Sequence, residues 1–420
     1  MPKAASWLLC IISLLLSTSG CMSLRPEKKV RHFIETDYSV AEPEFANSIS
    51  QLLGAPLVDS NNVVELLNGD QIFPAMLEAI RNAQKTITLE MYIWSSGQVS
   101  TQFVAALSER ARAGVKVHII IDAFGSQKLG RRDRDGLRSA GAQLAVYNPP
   151  GPLRIIGINH RTHRKNMVVD GRIGFTGGVC LTDSWVGNAE PGHWRDTHFR
   201  IEGPVVAQIQ GVFMDNWLQT RSEILHGKDY FPELKPAGSM KAQFFKSGPR
   251  EAAENARLVY QYSISAARKN IRLAQAYFIP DALLFETILE ARRRGVKIEV
   301  VVPGKIDNFA VKKASRARWR GLLEAGVEFY VYQPTLYHPK IMIVDDIWVT
   351  AGSINFDDRS FRLNDEANIN VLDRQFAATL TRTFEADKSQ SHRLTFEAFK
   401  RRNIVNRFFD HFFSLFRSQM

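Results

Sequence analysis

The sequence predicts an α/β protein made by tandem duplication, with two equivalent lobes. Three observations carry that prediction. A chain of 420 residues is too long for one ordinary core and suits two domains. Three blocks recur in the same order. SERARAGVKVHIIIDAFG (108–125) returns as LEARRRGVKIEVVVPGK (289–305), LRSAGAQLAVY (137–147) as LLEAGVEFYVY (322–332), and THRKNMVVDGRIGFTGG (162–178) as YHPKIMIVDDIWVTAGS (337–353). The offsets are 181, 185 and 175 residues, and chance does not repeat three blocks in register. Within each copy, helical periodicity alternates with short β-branched runs, the pattern of α/β layers on a parallel or mixed sheet.

Along the chain, Pro2 and Lys3 precede an apolar run from Trp7 to Leu16 and the small residues Ser17 to Gly20 before Cys21. A positive start, a short apolar region and small residues describe an export signal. The run falls short of the ~20 residues needed to cross a bilayer. Gly20-Cys21 resembles a bacterial lipobox, in which Cys21 is lipidated and becomes the mature N-terminus. Thr18 stands where that pattern has leucine, so an uncleaved signal anchor and plain export stay open. With Cys10 removed and Cys21 acylated, only Cys180 is left as a thiol, which excludes an internal disulfide framework.

Residues 1–21 are therefore read as the signal, 22–59 as an N-terminal extension and 60–225 as the first lobe. In that lobe a helical pattern from Phe73 to Ala83 leads into an apolar strand from Thr86 to Trp94. An Ala/Arg/Glu-rich helix stops at Gly114, a helix-terminating glycine. A strand from Val115 to Ile121 follows, then another helix and strand. Residues 226–249 have scattered Gly and Pro with no sustained period and are read as the linker. The second lobe, 250–395, repeats the series with a helix from Ala253 to Lys269, strands from Ile271 to Ile279 and from Val296 to Val302, and a helix stop at Gly295. In the remainder, 396–420, Ile404, Val405, Phe408, Phe409, Phe412, Phe413 and Phe416 form one helical stripe flanked by Arg401, Arg402, Arg407 and Arg417. Such a stripe fits an anionic bilayer surface or docks on the catalytic core.

The third block carries the chemistry. His163 is followed by Lys165 and Asp170, and His338 by Lys340 and Asp345. Residues two apart on a strand share a face, so each histidine points the same way as its lysine. Each aspartate has the opposite parity and is expected at the strand end, holding backbone or the partner half. His160 has no lysine two residues on and reads as an ordinary polar neighbour. Phosphodiester exchange needs a nucleophile for phosphorus, an acid for the departing alkoxide and cations around the phosphoryl oxygens. One histidine can attack while the other donates the proton, and the two lysines can do what a metal does elsewhere. No zinc-type spacing and no carboxylate cluster is present, so neither metal nor other cofactor is expected. Since each lobe supplies one histidine and one lysine, the active site must lie between them. Ser353 and Asn355 are short donors for a phosphate oxygen. Glu366 and Asp196, each at the start of a strand, can orient an imidazole. In the first lobe Gly178 stands for Ser353 and Cys180 for Asn355. A buried, inert thiol is a poor phosphate donor, so the site is expected to be asymmetric.

These paired H-x-K-x4-D units, with their G-G and G-S tails and the N-x-E segment, resemble the phospholipase D superfamily. NGDQIFPAMLEAIRNAQKTITLEMYIW and HWRDTHFRIEGP are similar, more narrowly, to its bacterial cardiolipin synthases. The resemblance covers roughly residues 60 to 395. It implies phospholipase D-like α/β/α lobes related by a pseudo-twofold axis, a phosphohistidine intermediate, and transfer of a phosphatidyl group from phosphatidylglycerol or a related donor to an alcohol. Carried over by position, it makes His163 and His338 nucleophile and acid, gives phosphate binding to Lys165, Lys340 and Asn355, and gives histidine orientation to Asp196 and Glu366. Cys180 departs from the family's asparagine. The lipobox-like start also departs, and puts the compartment in question rather than the chemistry.

A net charge of +11 fits anionic partners, phospholipid headgroups or nucleic acid. The export signal, the two-lobed length and the apolar tail favour a phospholipid substrate at an anionic membrane surface of the bacterial envelope, facing the periplasm, over nucleic acid. A hydrolytic phospholipase D, a nuclease of the same fold and an idle lipid-binding protein are the alternatives. Intact histidines and lysines in both copies argue against the last.

Overall fold

In the computed structural model, which describes residues 30–151, 159–305 and 309–402, the two copies form one continuous sheet. The strands of the first half are β1 (Val58–Leu67), β2 (Thr86–Met91), β3 (Lys116–Asp122), β4 (Gln143–Tyr147), β5 (Arg161–Thr162), β6 (Lys165–Val169), β7 (Ile173–Gly177) and β8 (Thr197–Glu202). Those of the second are β9 (Met240–Ser247), β10 (Asn270–Gln275), β11 (Lys297–Lys305), β12 (Glu328–Leu336), β13 (Lys340–Val344), β14 (Trp348–Gly352), β15 (Asn364–Leu372) and β16 (Ser391–Leu394). Across the 16-stranded sheet the order is β4-β3-β2-β6-β7-β8-β1, then β9-β15-β14-β13-β10-β11-β12-β16, with β5 paired to β15. Read outward from the β1/β9 junction, each half repeats the other, apart from β16 on one edge. In both halves three parallel strands (β2, β3, β4; β10, β11, β12) meet antiparallel ones, so the sheet is mixed.

Local chemistry sets the elements. The helix Gln98–Arg112 ends where Gly114 adopts φ +89°, and the helix Ala282–Arg293 ends where Gly295 adopts φ +88°. In each case the next amide, of Val115 or Val296, reaches back to the carbonyl of Arg110 or Ala291. That left-handed termination favours glycine, because a Cβ would clash. The Val115 and Val296 side chains then start the following strand in the core. β2 and β10 stop at Met91 and Gln275, three and four residues before the expected ends. Beyond them Tyr92 and Tyr277 leave the sheet and line a cavity between the halves.

One expectation about boundaries is corrected. The last third of the segment 226–249 is a strand, β9, pairing with β15 on one side and β1 on the other. It is the second half's counterpart of β1. Ala242, Phe244 and Phe245 are buried on its two faces, which erases the alternation by which a strand is recognised. The N-terminal extension packs on the second half. Its helix Pro43–Leu52 buries Phe45 and Ile49 in the core of the second half, with Phe45 stacked on Tyr262 at 5.1 Å and edge-on to Trp348 at 4.9 Å.

Each half has its own hydrophobic core between helices and sheet. A third core joins them, where Val168, Phe199 and Ile201 pack with Phe244, Val349, Ile369 and Phe384. Burial of this kind, at about 25 cal/mol per Å² of apolar surface, makes the junction part of the folded unit rather than a hinge. Among the described residues no helix is long and apolar enough to cross a membrane. Cys21 and the apolar stripe of the tail lie outside the described residues.

Candidate active site

Just before each histidine, the chain pairs in parallel with the other half. Arg161 and Thr162 pair with Asn364 and Asp365, and Tyr337 bridges to Arg195. The His163 amide then donates to the Asp365 carbonyl at 2.8 Å, and the His338 amide to the Arg195 carbonyl at 2.8 Å. The next residue in each partner segment is the acid, Glu366 or Asp196. The acids are therefore exchanged between halves. His163 Nδ1 donates to Glu366 at 2.9 Å, and His338 Nδ1 donates to Asp196 at 2.7 Å. A carboxylate on Nδ1 fixes the tautomer and leaves Nε2 of each ring for chemistry.

The two acids are fully buried and individually braced. Glu366 accepts from the hydroxyls of Ser353 (2.6 Å) and Ser360 (2.8 Å). Asp196 accepts from Trp185 Nε1 at 2.9 Å and from the Thr197 amide at 2.8 Å. Ser360 and Trp185 occupy equivalent places in the repeat, 175 residues apart, and serve one purpose with different donors. Burial alone would raise both carboxyls. His163, Lys165 and the Ser353 hydroxyl outweigh it for Glu366, and His338 and Lys340 do so for Asp196, so both are held below the usual carboxylate range.

The lysines begin β6 and β13 and are 1% exposed. Lys165 Nζ donates to the His163 carbonyl. Lys340 Nζ donates to the His338 carbonyl at 2.5 Å and lies 3.1 Å from Nε2 of that ring. Burial pushes the Lys340 ammonium down to about 8, with Asp196 opposing and Lys165 adding to the fall. Burial likewise lowers Lys165. It takes His163 down to about 4 against the pull of Glu366, and also lowers His338. Two buried ammoniums beside the two imidazoles make a site that an anion relieves, since each desolvated charge costs several kcal/mol until it is paired.

Between the halves lies a cavity of about 430 Å³, lined by both histidines, Lys165, Cys180 and Asn355. Its two ends differ. Tyr92 stands edge-on to His163 at 4.8 Å, whereas the indoles of Trp185 and Trp194 each lie 5.4 Å from His338.

Several candidates from the sequence sit elsewhere. Asp170 and Asp345, counted with the catalytic units, do not line the cavity. They occupy the hairpin turns after β6 and β13 with φ +53° and +51°. Asp170 accepts from the amides of Gln84, Lys85 and Thr86 at 2.7–2.9 Å, and Asp345 from those of Arg268, Lys269 and Asn270 at 2.7–3.0 Å. They follow the last residues of β6 and β13 and tie each hairpin to the start of the neighbouring antiparallel strand, β2 or β10. Ser353 is not a phosphate donor, since its hydroxyl is committed to Glu366. Gly178 is not one either. A Cβ there would come within 2.3 Å of an Asp196 oxygen, so the residue is small to make room for the acid. Cys180 does line the cavity where Asn355 does, and its burial raises the thiol. The second-lobe amide thus faces a thiol, which makes the two ends of the site chemically different. Trp185, Trp194, Tyr92, Tyr277 and Ser360 were missed in the sequence. The 175-residue offset would have paired 185 with 360, but indole and hydroxyl share no recognisable pattern.

A family model described as "Cardiolipin synthase, PLD-like domain" matches residues 76–217 and 261–388. Cardiolipin synthase 2 of Staphylococcus epidermidis is 34% identical over 372 residues, 87% of this chain and 76% of that protein. A probable cardiolipin synthase of Bacillus subtilis is 34% identical over 363 residues, 85% of this chain and 72% of that one. Among solved structures, the phosphatidylserine synthase of Haemophilus influenzae superposes with a TM-score of 0.68 at 14% identity, covering 90% of this chain and all of that one. At that identity the likeness speaks for the fold alone.

Proposed function

This chain belongs to the cardiolipin synthase family with phospholipase D-like domains, enzymes of the phosphatidyltransferase kind, and from that membership we propose how its own residues carry the reaction. The donor is phosphatidylglycerol or a related phospholipid, and the acceptor is the hydroxyl of a second phosphatidylglycerol, giving cardiolipin. One of the two histidines attacks phosphorus through Nε2. The phosphorus–nitrogen bond forms as the bond to the headgroup oxygen breaks, and the other histidine, which enters the step as the imidazolium, gives its Nε2 proton to the departing alkoxide and is left neutral. In the second half-reaction that histidine takes the proton of the incoming hydroxyl, the new oxygen–phosphorus bond forms and the histidine is released. Lys165, Lys340 and Asn355 hold the phosphoryl oxygens. Glu366 and Asp196 hold a proton on Nδ1 of each ring, so that Nε2 is bare on the attacking histidine and carries the transferred proton on the other.

The observation that carries this reading is the crossed pairing, in which each half positions the other half's histidine over one cavity. Neither half has a complete acid–histidine unit alone, which is what a reaction shared between two imidazoles requires. The test is purified protein with labelled phosphatidylglycerol and separation of products. Cardiolipin supports the reading, and phosphatidic acid alone would replace it with a hydrolase.

The same membership supports a place at an anionic membrane surface. A lipid on Cys21 and the basic aromatic tail would supply two attachments on the envelope face away from the cytoplasm, as stable anchoring needs more than one. Loss of fatty-acid labelling in Cys21→Ala, against clear labelling of the unaltered protein, tests the anchor. No labelling of the unaltered protein means the segment is a signal anchor instead.

A further inference from the structure

The catalytic residues obey the pseudo-twofold axis, but the rest of the cavity does not. Arg161 lies two residues before His163, where the second half has Leu336 before His338. Arg359 lies in the helix Asp358–Arg362, and its equivalent in the first half is Ser184. Both guanidiniums line the cavity of the histidines, and both break the repeat in the same sense by adding a positive charge where the other half has none. Opposite them, the His338 end carries the indoles of Trp185 and Trp194.

Both arginines are held in place. The Arg161 guanidinium stacks 3.8 Å above the Phe124 ring, which is 54% exposed and so marks the cavity mouth, and donates to the Tyr92 hydroxyl at 3.1 Å. Arg359 donates to the carbonyl and side-chain oxygens of Asn159 at 2.8 and 3.0 Å. Among the acids that act on the pair are Asp122, on Arg161, and Asp357, on Arg359. Asp122 accepts from the amides of Phe124, Gly125 and Thr162, and Asp357 accepts from the Ser360 amide. Burial pushes Asp357 up to about 7, which weakens its negative charge, and burial together with the nearby Arg161 lowers Arg359. The result is a second cationic group in the cavity, with Tyr92 between Arg161 at its hydroxyl and Lys165 Nζ 5.1 Å from its ring centre.

We propose that Arg161 and Arg359 form a second anion subsite that binds the phosphate of the acceptor phospholipid and thereby selects phospholipid over water or a neutral alcohol as acceptor. This rests on the reading of the chain as a cardiolipin-forming transferase. In that reaction the donor has one phosphate, the reacting one, which the lysines hold. A second phosphate enters the cavity only with the acceptor, and in the product a three-carbon bridge separates the two. A second cationic site beyond the first is what that spacing requires, and paired guanidiniums suit a phosphate through their forked donors.

The test reads two products of one reaction. Arg161→Gln and Arg359→Gln, singly and together, are assayed with labelled phosphatidylglycerol for cardiolipin and phosphatidic acid, with and without added glycerol as a neutral acceptor. The expected result is a fall of at least tenfold in the ratio of cardiolipin to phosphatidic acid, a rise in the apparent KM for the phospholipid acceptor, and stronger competition by glycerol. Arg161→Lys and Arg359→Lys should recover part of the ratio, since they keep the charge and lose the fork. A structural defect lowers both products together. An unchanged ratio, or joint loss of both products in all five variants, overturns the subsite. Unaltered protein that releases phosphatidic acid and no cardiolipin overturns the parent reading and takes this one with it.

Discussion

Asp196 accepts the Nδ1 proton of His338 at 2.7 Å across 142 residues of sequence, and Glu366 does the same for His163 across 203. Each half of the molecule therefore orients the histidine of the other. The duplicated lobes are not two active sites but two halves of one, and the exchange explains why neither can be dispensed with. The backbone pairing beside each acid is what enforces it, since the amide of each histidine is bonded to the residue preceding the acid.

Glu366→Gln and Asp196→Asn should each lower kcat by about a hundredfold or more, because an amide can present its NH2 to Nδ1 and stabilise the wrong tautomer. Folding should survive, as the braces from Ser353, Ser360 and Trp185 accommodate an isosteric side chain. A kcat within a few-fold of the unaltered enzyme would show that the carboxylates do not set the tautomer.

His163→Ala and His338→Ala should each abolish turnover, and the double variant should add little, as expected of residues acting as a unit. Activity above about a tenth of the unaltered rate in either single variant would sink the paired-histidine mechanism.

Lys340 carries a pH signature. Its ammonium is held down to about 8 by burial, and in the proposed mechanism the charged form is the one that binds phosphate. kcat/KM should therefore decline as pH rises through about 8, reporting the free enzyme. Lys340→Arg, whose guanidinium stays charged, should move that decline to higher pH even if the rate itself drops. A decline that stays put in the variant assigns it to another group.

Asp170→Ala and Asp345→Ala should destabilise the fold rather than the chemistry. Each removes three charge-assisted bonds to backbone amides and places alanine at a positive φ, together worth about 2 kcal/mol or more. The denaturation midpoint should fall while kcat, measured well below it, stays within about threefold. A large loss of kcat with an unchanged midpoint would return these residues to the catalytic unit.

His198 is buried without a ring partner, and burial pushes it down to about 3, while His118 is pushed to about 4. The ordinary value is 6.5, so between there and about 3 the unfolded chain binds protons that the folded chain refuses. Stability should fall as pH drops across that window and be complete above it. His198→Asn, the residue found at the equivalent position 368, should flatten the dependence of the urea midpoint on pH between 7 and 4. An identical slope in the variant would place the proton uptake elsewhere.

Much of the architecture is decided locally and was open to reading. The ordered blocks establish the duplication, glycine at positions 114 and 295 ends the helices, and the spacing of the third block puts Asp170 and Asp345 past the strands that begin at the lysines. Composition and spacing also place Glu366 and Asp196 near an imidazole. What the sequence alone did not decide is which imidazole. That depends on how the two halves dock through the shared core of Val168, Phe199, Phe244 and Ile369, a contact between segments far apart in the chain. The same holds for Ser353 and Gly178, whose roles are set by the acids packed against them, and for the helix Pro43–Leu52, which precedes the first half in sequence and completes the core of the second. β9 escaped notice because a strand buried on both faces shows no alternation. Periodicity records one residue's relation to its near neighbours along the chain. The active site is made of relations between chain segments, and only packing determines those.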